Sequence, residues 1–156
     1  MGNTMQEPPE SMIELAAEIS LRTTCLSKRG VIIWRHDDME NPYVARATNG
    51  PAGQEECSGN SACKATCSRF SVHAEQRALI AAGKGARGAE MLHIKTVNGQ
   101  IVASGPPSCP QCSKLLVESG IKTMWLLHED GWRRYPTEEF HRLTLDHCRS
   151  GAGHQG

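Results

Sequence analysis

A chain of 156 residues fits one compact domain with a buried core and is too short for two ordinary ones, so a single active site is expected. Lys plus Arg and Asp plus Glu balance at 17 each, which leaves no net positive field to draw the protein onto a nucleic-acid backbone and favours a small substrate. No run approaches the roughly 20 apolar residues of a membrane span, and the polar, Pro-containing Met1 to Glu10 does not read as an export signal. The expectation is a cytoplasmic protein without a membrane segment.

Residues 1–10 read as a flexible leader, 11–148 as the folded domain and 149–156 as a Gly-rich flexible tail. Ser11-Met12-Ile13-Glu14 is a capping box, and Met12, Leu15, Ala16 and Ile19 recur at helical spacing behind it, which predicts a helix from about Met12 to Arg22. Val31 to Trp34 and Tyr43 to Thr48 are short β-branched, aromatic and apolar segments flanking a polar turn, and they read as a hairpin. Pro51 to Ser71 lacks periodicity and holds three cysteines, the pattern of a functional or metal-tied loop.

His73 to Ala82 reads as a helix broken by Gly83 to Gly88, and Leu92 to Val97 as a strand ending in an Asn98-Gly99 turn. Another helix opens near Cys109. Thr123 to His128 is an apolar strand, and Asp130-Gly131 is a turn. Thr137 reads as the cap of a last helix with Phe140, Leu143 and Thr144 on one face. Trp132 to Tyr135 is left undecided as a strand. Helices alternating with strands predict a three-layer α/β/α sandwich around one sheet.

Disulfides are rare in a reducing compartment, so the seven cysteines, an odd number, read as metal ligands or redox groups. His73-Ala74-Glu75 lies upstream of Pro107-Ser108-Cys109-Pro110-Gln111-Cys112. Each half alone is a weak signal, but H-x-E followed by P-C-x-x-C is the zinc-deaminase signature, in which the Glu shuttles protons and does not bind metal. Cys109 and Cys112, three residues apart, project from one face of a first helical turn, with Pro110 suited to N1. His73 and Glu75 would splay on a continuous helix, so His73 is expected at the helix start. His73, Cys109 and Cys112 plus water make the open arrangement of a catalytic zinc. A redox role would leave His73 and Glu75 unused, and a structural zinc site would not need Glu75.

From about Ser11 to Cys148 the chain resembles the cytidine deaminase superfamily, and most closely its deoxycytidylate (dCMP) deaminase branch. Arg22-Thr23-Thr24-Cys25 is similar to that branch's R-S-T-C segment, and Asn49-Gly50-Pro51-Ala52-Gly53 to its N-G-x-P-x-G loop. The resemblance implies a central mixed sheet flanked by helices, hydrolysis of dCMP to dUMP and ammonia, and assembly into a homo-oligomer, a dimer or hexamer. It also implies substrate contacts from Asn49, Ala74 and Ser108. Lys28 or Arg29 are candidates for a phosphate, which needs cations or N–H groups in place of water. Their other reading is a solvated basic turn. Departures include Ser108, where the family carries Pro, and Ala47-Thr48-Asn49-Gly50 for G-Y-N-G.

After Cys109 and Cys112 five cysteines remain, Cys25, Cys57, Cys63, Cys67 and Cys148, enough for a second, Cys₄ zinc site. The resemblance pairs the R-S-T-C cysteine with the one after the N-G loop, and so implies a structural zinc on Cys25, Cys57, Cys63 and Cys67. His36, His93 and His128 read as hydrogen-bonded structural residues. The competing functions are deamination of another amine, in a nucleoside, a free base or tRNA adenosine, and a non-enzymatic zinc-stapled binding or redox module.

Overall fold

The structure is a computed structural model, and the residues it describes are 7–38, 40–53 and 71–150. The first helix, α1 (Glu10–Ser20), starts earlier than its capping box suggests. Pro9 is the N-cap, with its φ of −56°, and its carbonyl accepts from the N–H groups of Met12 and Ile13 at 3.0 and 3.1 Å. Proline has its φ already set for helix entry, so Ser11 falls inside the first turn and caps nothing. The helix stops two residues short of Arg22, where the Ser20 hydroxyl donates back to the Ala17 carbonyl and meets Thr96 Oγ1 at 2.9 Å.

Strands β1 (Lys28–Trp34) and β2 (Tyr43–Thr48) form the expected antiparallel hairpin. β1 begins at Lys28, ahead of Val31, because Lys28, Arg29 and Gly30 find partners in Thr96, Lys95 and Ile94 of β5 (Glu90–Val97). A two-residue ribbon, β3 (Gly50–Pro51) against β4 (Ser71–Val72), joins the two ends of the long loop. Next comes α2 (Ala74–Ala82), and a 3₁₀ turn (Gly83–Ala86) leads into β5. Asn98 and Gly99 both take positive φ, 52° and 77°, the requirement of a type I′ turn. That turn folds a short β6 (Gln100–Val102) back onto β5.

The chain then forms α3 (Pro110–Ser119), β7 (Thr123–His128), β8 (Gly131–Pro136) and α4 (Thr137–Arg149). Trp132 to Tyr135 is thus strand, paired antiparallel to β7. Pro136, not Thr137, caps α4, for the same reason that Pro9 caps α1.

The main sheet runs β2-β1-β5-β7-β8, with β5 and β7 parallel and the other neighbours antiparallel, so it is the mixed sheet expected. Alternation along β1 assigns its faces. Ile32 and Trp34 pack with Leu92, Ile94 and Trp125 against Met12 and Ala16 of α1. Val31 and Ile33 pack with Met91, Met124 and Leu126 against Ala74, Ala78, Leu116 and Phe140 of the other three helices. One helix on one face and three on the other complete the three layers. Gly30 is required where α1 crosses β1, since a Cβ there would lie 2.1 Å from the Ala16 carbonyl oxygen. Among the described residues no helix is long and apolar enough to cross a membrane.

Candidate active site

Two helices begin at one place on the three-helix face. His73 is the N-cap of α2, in extended conformation (φ −69°, ψ 150°), and Cys109 is the N-cap of α3 with Pro110 at N1. The Gln76 side chain accepts the His73 N–H at 3.0 Å and holds the cap. Cys112 follows in the first turn of α3, its N–H on the Cys109 carbonyl at 3.2 Å. His73 Nδ1 lies 3.2 Å from Cys112 Sγ and 3.4 Å from Cys109 Sγ, and the two sulfurs are 3.4 Å apart. Both helix N-termini carry partial positive charge toward this triangle and favour thiolates within it.

The electrostatics follow from those contacts. The Sγ–Sγ contact with Cys112 holds the pKa of the Cys109 thiol down to about 5 against the cost of burial, with His73 adding to the effect. The same contact, together with burial and Glu75, pushes Cys112 up. Cys109 in turn raises His73 above its ordinary value.

Glu75 occupies the first turn of α2, as the two-residue spacing from a capping His73 requires, and its side chain is 13% exposed. Its Oε1 lies 4.0 Å from His93 Nε2 on β5. Around this group is a cavity of about 650 Å³, within the usual range for small-molecule sites. Met124, Leu126 and Phe140 form an apolar wall, and Arg29, Lys95 and His93 a polar one.

The other expected site residues divide. Cys25, Asn49, Ala74 and Ser108 line the cavity, as does Arg29. Asn49 is buried with its amide committed to the backbone: Oδ1 accepts the Arg29 N–H at 2.9 Å and Nδ2 donates to the Ser27 carbonyl at 2.7 Å. It therefore shapes the edge of β1 from which Arg29 projects. Lys28, one residue away and so on the opposite sheet face, donates its Nζ to the Thr23 carbonyl at 2.8 Å and is not among the lining residues. Cys57, Cys63 and Cys67 lie outside the described residues. His36 and His128 have the partners expected of structural histidines, Glu90 and Tyr135. His93 departs from that expectation, because its buried Nδ1 has no hydrogen-bond partner among the described residues.

Sequence reasoning missed three contributors. Lys95 reaches the site because β1–β5 register sets it opposite Arg29. Neither makes an ion pair among the described residues. Burial presses the Arg29 guanidinium below its ordinary value, with Glu75 acting in the other direction. Arg77 on α2 donates to the carbonyls of Thr48, Gly50 and Pro51, and so fixes the backbone on either side of Asn49. His93 shares the site face of β5 with Met91 and Lys95 by alternation.

The donor set suits a zinc ion. Zinc bond lengths of about 2.3 Å to sulfur and 2.0 Å to nitrogen put tetrahedral ligand atoms about 3.5–3.8 Å apart, within a few tenths of an ångström of the observed triangle. Among the described residues these are the three whose ligand atoms gather closely enough to hold a metal ion.

No protein-family model matches the chain, and no curated protein does. Among solved structures, the dCMP deaminase of cyanophage S-TIM5, determined with dCMP and dUMP, aligns with a TM-score of 0.52 at 23% identity, covering 76% of this chain and 82% of that one. Two forms of Acinetobacter baumannii RibD align with a TM-score of 0.39 at 21% identity, over 74% of this chain and 25% of theirs. In its sheet order, its layers and its likeness to the cyanophage enzyme, the chain has the cytidine deaminase-like fold that its sequence resemblance implies.

Proposed function

We propose that this protein is a zinc-dependent hydrolytic deaminase of the cytidine deaminase superfamily, acting on a pyrimidine nucleotide and converting dCMP to dUMP and ammonia. The observation that carries the reading is the His73, Cys109 and Cys112 triangle with the Glu75 carboxylate in the same cavity. His73, Cys109 and Cys112 would hold the metal, which when bound supplies Lewis-acid activation of water. Glu75 accepts the proton that water releases. It returns that proton to the ring nitrogen, which makes the amine-bearing carbon electrophilic, and moves another onto the exocyclic amine so that ammonia departs. The balance is C–NH₂ plus water to C=O plus ammonia.

The anionic part of the substrate is assigned to Arg29 and Lys95. Like charges set directly opposite on neighbouring strands repel, and a phosphate between them would relieve the repulsion and form charge-assisted hydrogen bonds. Met124, Leu126 and Phe140 offer an apolar surface to the base. A second, structural zinc on Cys25, Cys57, Cys63 and Cys67 belongs to the same reading, and native mass spectrometry should then find two zinc ions per chain. One ion per chain would overturn the second site.

The test of function is ammonia release from dCMP, deoxycytidine, cytosine, guanine and adenosine. Turnover of dCMP well above deoxycytidine supports the nucleotide assignment. Release from a free base but not from dCMP would overturn it.

A further inference from the structure

His93 is a buried polar residue that this scheme leaves unused. It sits on β5 between Met91 and Lys95 in the alternation, lines the cavity, and is 7% exposed. A leucine or isoleucine would fill such a position without desolvating a polar ring. The other two histidines that read as structural have partners, His36 in Glu90 and His128 in Tyr135, and His141 of α4 meets Ser113 at 2.8 Å. Among the described residues His93 instead has no partner for one nitrogen, Nδ1, and turns the other, Nε2, toward Glu75 Oε1 at 4.0 Å. Burial lowers its pKa, so the ring is neutral at pH 7 and carries a single N–H. Glu75 and Cys109 pull toward the charged form, while Arg29 and His73 oppose it.

A neutral ring must put its proton on one nitrogen, and the acceptor beside Nε2 is a carboxylate. We propose that His93 is the positioning residue for Glu75, its Nε2–H directed at Oε1 and closing to a hydrogen bond when substrate fills the cavity, so that the carboxylate is held facing the His73, Cys109 and Cys112 cluster. Closing from 4.0 Å to hydrogen-bond range takes a shift of about 1 Å, and catalytic hydrogen bonds are often long before substrate binds. The kinetic part of the proposal rests on the deaminase reading, whereas the tautomer part does not.

Two measurements on the zinc-loaded protein test it. Long-range ¹H–¹⁵N NMR correlation identifies which His93 nitrogen carries the proton: Nε2–H in the wild type, with that preference lost in Glu75→Ala. In kinetics with dCMP, His93→Leu should lower kcat about 10- to 100-fold with KM within about 3-fold, the scale of a misplaced catalytic group. His93→Gln, which keeps an N–H donor, should recover most of that loss. The melting temperature of His93→Leu should equal or exceed that of the wild type, because an unpartnered buried polar atom has been removed.

An Nδ1–H tautomer, a tautomer indifferent to Glu75→Ala, or a fully active His93→Leu would overturn the proposal. If the wild type releases no ammonia from dCMP, the functional reading fails and the tautomer alone decides the role of His93.

Discussion

His73 Nδ1 lies 3.2 Å from Cys112 Sγ although 39 residues of chain separate them. From His73 the chain leaves along α2, returns along β5, doubles back through β6 and re-enters at Cys109, the start of α3. The candidate metal centre therefore depends on two helix starts being fixed on one sheet. Cys112→Ala removes a buried candidate ligand and should lower zinc affinity by more than the 10- to 100-fold typical of losing an outer partner, or roughly 100-fold and above. Competition with a chromophoric chelator measures it, and unchanged affinity would remove Cys112 from the ligand set.

Arg29 and Lys95 should separate phosphate recognition from chemistry. Arg29→Ala or Lys95→Ala should raise KM for dCMP by about 10- to 100-fold, the worth of one charge-assisted hydrogen bond, and leave KM for deoxycytidine unchanged. Lys95→Ala should also raise the melting temperature slightly, because it removes a like charge opposite Arg29. Equal losses on both substrates would mean that the pair does not read the phosphate.

Gly30→Ala tests the seating of α1. With the Ala16 carbonyl oxygen 2.1 Å from the new Cβ, helix and sheet must part, at a cost of about 1–3 kcal/mol. A lowered urea midpoint at constant slope is the expected result, and an unchanged midpoint would contradict the packing of α1 on β1.

The buried His93 imposes a pH dependence on stability. Its folded pKa lies below the ordinary 6.5, so between the two values the unfolded chain binds more protons than the folded one. The contribution is full above about pH 6.5 and is lost as pH falls from there through the folded value. Thermal unfolding of the wild type and His93→Leu across pH 7.5 to 5 should show the wild type losing more stability toward acid. Parallel curves would place the His93 titration elsewhere.

Much of the fold was legible because its signals are local. Apolar periodicity marked the helices and strands, and the spacing of His73, Glu75, Cys109 and Cys112 picked out side chains that the fold brings to one cavity. The ends of elements were read less well: Ser11 and Thr137 looked like caps, but the prolines just before them set the entry angle first. Lys28 and Arg29 are equivalent as neighbours in sequence and are separated by strand alternation, which sends them to opposite faces. Lys95 and His93 come to the cavity through the β1–β5 register and the placement of α2, long-range relationships with no signature inside β5 itself.

The most direct test of zinc-dependent deamination pairs two measurements on the same preparations of wild type and Glu75→Gln: zinc content per chain, and ammonia release from dCMP. Equal zinc in both proteins, with release by Glu75→Gln slower by at least about 10²- to 10⁴-fold, is the result a general acid and base at Glu75 predicts. An active Glu75→Gln, or a fully zinc-loaded wild type that releases no ammonia from dCMP or from the other four amines, would contradict it.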